Sequence, residues 1–81
     1  MNLERAAMVG QKTEKELTAK GLAIKASGLR DSLRLSLLLT TPVEELNDER
    51  IASQALELAE TVIGLRAVRA EIVAINKHLG S

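Results

Sequence analysis

The chain has 81 residues, 46% hydrophobic and 27% charged, with eleven Lys and Arg balancing eleven Asp and Glu. It has no Cys, no aromatic residue and a single His, His78. That excludes a disulfide framework, a thiolate or multi-histidine metal site within one chain, and the aromatic platforms on which single-stranded nucleic acid stacks. The longest uncharged stretch, Leu35 to Val43, falls far short of the ~20 residues that span a bilayer, and no leader segment is legible. The expectation is one cytoplasmic domain over residues 1–81, with no membrane role, cofactor or metal.

The first arm is expected to be helical over residues 3–39. Leu3, Ala7, Gly10, Leu17, Gly21, Ile24 and Gly28 recur at helical spacing, with Glu14 as the one interruption. A second stripe on the same arm holds Leu22, Ala26, Leu29, Leu33 and Leu37. Gly10 and Gly28 are also possible breaks, and Thr13-Glu14-Lys15-Glu16 could restart a helix after Gly10; that alternative gives three or four shorter helices.

The only proline, Pro42, sits in Thr41-Pro42-Val43-Glu44, where a capping Thr, Pro at the first helical position and Glu at the third mark a helix start. This predicts a turn near residues 40–42 and a second arm over 43–79. A competing cap at Asn47-Asp48-Glu49 would make residues 43–46 a separate helical turn.

In the second arm Ile51, Ala55, Leu58, Val62, Leu65, Val68, Ile72, Ile75 and Leu79 form one continuous stripe. Ala52, Leu56, Ala59, Ile63, Ala67, Ala70 and Ala74 form another. Acids gather at the start of this arm and bases at its end, as the helix dipole favours, and Gly80 suits a C-terminal cap.

Folded back at Thr41, the arms make an antiparallel hairpin in which facing residue numbers sum to about 82. That register sets Leu3 against Leu79, Ala7 against Ile75 and Leu17 against Leu65, and places the glycines on the seam. It also pairs Glu16 with Arg66, Lys25 with Glu57, Glu14 with Arg69, Asp31 with Arg50 and Arg34 with Asp48. The fold class expected is therefore all-α, a long helical hairpin that dimerises into a four-helix bundle.

In that arrangement Leu22, Ala26, Leu29, Leu33 and Leu37, with Ala52, Leu56, Ala59, Ile63 and Ala67, are left for a partner. The functional expectation is a non-enzymatic protein-interaction or scaffold module, with a second copy as partner and another helical protein as the alternative. The basic stretch Lys20, Lys25, Arg30 and Arg34 allows a nucleic-acid accessory role, but Asp31 sits among these residues and their spacing scatters them around the helix. A small helical enzyme with a dimer-core site comes third. Asp31 beside Arg50 would be its most perturbed pair, and His78 has no nucleophile beside it in the hairpin.

Overall fold

A computed structural model describes residues 3–38 and 40–80. Helix α1 spans Leu3–Ser36, a 3-10 turn spans Val43–Glu45, and helix α2 spans Asp48–His78. The two long helices pack side by side as an antiparallel hairpin measuring 64 × 18 × 14 Å. The all-α hairpin expected from periodicity is the fold observed.

Helix α1 runs unbroken through Gly10, Gly21 and Gly28. The capping box at Thr13 is not used. Instead the Thr13 hydroxyl donates to the Val9 carbonyl at 3.1 Å and Thr18 to the Glu14 carbonyl at 3.0 Å, the back-bonding that mid-helix Thr adopts. The helix closes at Ser36, earlier than the expected Leu39, a position that lies outside the described residues.

The proline signature delivers one turn only. Glu45 and Leu46 amides donate to the Pro42 and Val43 carbonyls at 2.9 and 3.3 Å, and then the backbone of Leu46 becomes extended. The second cap starts the long helix, its Asn47 side chain accepting from the Arg50 amide at 3.1 Å. Residues 43–46 are thus the separate turn that the second cap implied, and α2 begins at Asp48 instead of Val43. At the far end Gly80 has φ +81° and its amide donates to the Lys77 carbonyl at 3.2 Å, a left-handed cap that suits glycine.

The seam corrects the expected register. Residues turned toward α2 are Met8, Lys12, Lys15, Ala19, Leu22, Ala26, Leu29, Leu33 and Ser36, spaced by alternating fours and threes. They meet Ile51, Gln54, Leu58, Thr61, Leu65, Val68, Ile72, Ile75 and Leu79, a heptad of the same kind. Lys15 pairs with Glu71, the Gln54 amide donates to the Ser32 hydroxyl at 2.7 Å, and a Cβ on Gly64 would lie 3.9 Å from Leu22 Cδ1. Each of these three pairs sums to 86, not 82.

The α1 stripe expected at the seam, Leu3 to Gly28, therefore faces away from α2. Leu22, Ala26, Leu29 and Leu33, expected to face a partner, are half-buried between the two arms. The reason is apolar area. Burying a Leu contributes about 1.5–3 kcal/mol, whereas Gly21 and Gly28 have no side chain to bury, so the leucine face wins the intramolecular contact.

Candidate protein-interaction surface

Among the described residues only Ala19, Thr61 and Ile75 are buried. Ala19 and Thr61 are small, which lets the backbones approach, and Thr61 satisfies its hydroxyl by donating to the Glu57 carbonyl at 2.7 Å. Toward the open end of the hairpin Lys12 and Lys15 take core positions of the heptad. Both side chains are half-buried, and their ammonium groups reach Glu16 at 3.8 Å and Glu71. Toward the turn a polar layer of Ser32, Ser36 and Gln54 replaces apolar packing, with the Gln54 Oε1 left without a hydrogen-bond partner.

Of the expected cross-arm ion pairs, Lys25 with Glu57 forms, at 3.3 Å. Glu16 pairs instead with Lys12, and Asp31 with Arg30 at 3.1 Å rather than with Arg50. Asp31 is exposed, so the buried Asp–Arg pair considered for catalysis is not present. Two of the four cations of the basic stretch, Lys25 and Arg30, are engaged with carboxylates. His78 lines a hollow with Glu4, Arg5, Met8 and Leu79 at the open end, whereas Ser32 and Ser36 lie at the turn end. Among the described residues no group of three or more His, Asp or Glu gathers as a metal site, and no helix is long and apolar enough to cross a membrane.

The remaining feature is outward apolar surface. On α1 it comprises Leu3, Ala7, Gly10, Leu17, Gly21, Ile24, Gly28 and Leu35, which with Glu14 and Asp31 keep one strict heptad along the helix. Leu35 extends the stripe read from sequence by a further turn, and Leu38 is exposed just beyond the helix. On α2 it comprises Ala52, Leu56, Ala59, Ile63, Ala67, Ala70 and Ala74, exposed as expected, together with Val73. Leu3, Leu17, Ile24, Leu35, Leu56 and Ile63 are each between 63% and 78% exposed. Leu37 also remains exposed, just beyond the end of α1. Of the ten residues expected to meet a partner, Leu37, Ala52, Leu56, Ala59, Ile63 and Ala67 are exposed, and the other four belong to the hairpin seam.

A shallow groove of about 380 Å³ runs along one side of the seam, lined by Ala23, Ala26, Ser27, Arg30, Leu58, Val62 and Leu65. The whole hairpin exposes 6291 Å². A compact folded monomer of 8.7 kDa exposes roughly 4,700 Å², so the chain presents about 1,600 Å² more than its mass requires. No known protein family, curated protein or solved structure matches the chain.

Proposed function

We propose that this chain is a non-enzymatic protein-interaction or scaffold module, and that its working form is a homodimer in which two hairpins pack into a four-helix assembly. The observation that carries the reading is the outward apolar stripe of α1, with Leu3, Leu17, Ile24 and Leu35 exposed, on a chain whose own seam does not use it. A row of large aliphatic side chains left mostly exposed along one helix face is what monomers avoid and interfaces use. The absence of net charge fits association between like chains, since two copies do not repel as wholes.

Sedimentation at micromolar concentration tests this. The expected result is a species of twice 8.7 kDa that keeps its helical circular dichroism. A well-folded monomer at that concentration would contradict the homodimer and leave the same stripes as a docking site for another helical protein.

A further inference from the structure

We infer that the outward heptad of α1 is the surface on which a second copy of this chain docks, α1 against α1, antiparallel about a two-fold axis passing between Gly21 and Ile24. The inference rests on the interaction reading and adds to it the face, the orientation and the register.

The argument is self-complementarity. In this one antiparallel register Gly21 meets the partner's Ile24, Leu17 meets the partner's Gly28 and Gly10 meets the partner's Leu35, while Ala7 and Leu3 reach past the end of the partner's α1. Every glycine of the stripe faces a large aliphatic side chain, and of the four kinds of layer formed within the two helices three combine large with small, as close-packed helices do. Moving one heptad in one direction puts Gly10 on the partner's Gly28 and Glu14 on the partner's Ile24. Moving one heptad in the other puts Leu17 on the partner's Leu35 and Glu14 on the partner's Leu38. A parallel in-register pairing stacks each glycine on itself and Glu14 on the partner's Glu14. All of these pairings are isologous two-fold contacts, but only the first antiparallel register fills the glycine gaps.

The glycines supply a second reason. Nothing lies within 4 Å of a Cβ added at Gly10, Gly21 or Gly28, so their smallness serves no contact inside the hairpin. Each nevertheless lowers the helix propensity of α1 relative to alanine. A helix docked closely on that face gives small size a use.

Charge agrees. The exceptional layer sets Glu14 against the partner's Asp31, and that Asp31 already carries Arg30 at 3.1 Å. Arg34 lines the same hollow as Asp31, Leu35 and Leu38, one turn along from the point where the second copy's Glu14 arrives. Each polar layer thus brings two carboxylates to two guanidinium groups, and it penalises the shifted registers that would bury Glu14 on Ile or Leu.

Area agrees as well. Stable interfaces bury about 800 Å² from each partner, and this chain exposes about 1,600 Å² beyond the compact expectation, enough for one such contact with surface to spare. The outward stripe lies roughly 150° around α1 from the seam, so the four helices of the dimer form a row, with α2 at each edge, and not a square bundle.

The chain lacks cysteine, so single-cysteine variants report position without interference. Spin labels on Gln11→Cys are expected to lie about 35 Å apart in the dimer and labels on Glu4→Cys about 55 Å apart, from a rise of ~1.5 Å per residue away from the two-fold axis. Short distances at both sites would mean a parallel pair, and any other set of distances in a wild-type-like dimer would mean a different face; either overturns this register while sparing the interaction reading. A chain that sediments as a monomer overturns both. As an independent check, the double variant Gly21→Leu and Gly28→Leu should weaken dimerisation at least about a hundredfold by overfilling the layers, with helical content retained because neither glycine has a neighbour in the hairpin. Should that variant fail to fold, Leu17→Asp, at a side chain exposed in the hairpin, makes the same test. Undiminished dimerisation in a folded variant would overturn the assignment.

Discussion

Helix α1 carries two heptads, and they are built differently. The inward one has Leu22, Leu29 and Leu33 near the turn but Lys12 and Lys15 near the open end. The outward one has aliphatic residues from Leu3 to Leu35, interrupted by Glu14 and Asp31, with glycine at every second or third position. The inward face can bury its leucines against α2 and still keep its lysine heads in water. The outward face, exposed in the hairpin, has the alternation of large and small that a close helix contact needs. The comparison separates two faces on one helix: the inward stripe folds the chain, and the outward stripe is left exposed, the face proposed to meet a partner.

The largest effect should come from breaking the inward stripe. Leu22→Asp together with Leu29→Asp puts two unpaired carboxylates into the seam and should destabilise the hairpin by more than about 3 kcal/mol, read as loss of helical circular dichroism at 25 °C. The same chemistry on the outward stripe should do something else. Leu17→Asp with Ile24→Asp removes self-association while leaving the helical signal of the hairpin in place, measured by sedimentation and circular dichroism on the same sample.

Smaller changes sharpen the contrast. Asn47→Ala removes the cap of α2 and should cost about 1 kcal/mol in urea unfolding. Gly21→Ala, made in the Leu17→Asp, Ile24→Asp background, should raise stability by about 0.5–1 kcal/mol, since the new methyl meets nothing within 4 Å. The smallest effect is expected for Lys25→Ala. Its ion pair with Glu57 is half-exposed on both sides, and its loss should change stability by no more than about 1 kcal/mol in a double-mutant cycle.

Much of the fold is legible in the sequence. The period of the apolar residues defines two helices, the stripe from Ile51 to Leu79 is the one α2 turns inward over most of its length, and Lys25 does reach Glu57. What periodicity leaves open is which of two equally regular stripes on α1 meets α2. A step pattern of threes and fours states that a face exists and does not say what it touches. Glycine misleads at this point, because small size is a mark of close packing wherever it occurs, inside a hairpin or between hairpins. The turn was ambiguous for a related reason: Thr41-Pro42 and Asn47 both read as helix starts, but the first yields only a 3-10 turn with Pro42 at its cap position and no side-chain cap, while Asn47 caps α2.

The claim that the outward stripe of α1 holds two copies together is tested most directly by thermal unfolding over a wide range of protein concentration, for wild type and for Leu17→Asp, Ile24→Asp side by side. Association with the folded state couples stability to concentration by mass action. The wild-type midpoint should rise with concentration while that of the variant stays constant, and the two should converge at high dilution. A wild-type midpoint independent of concentration, or a variant whose midpoint rises in parallel with it, would contradict the account.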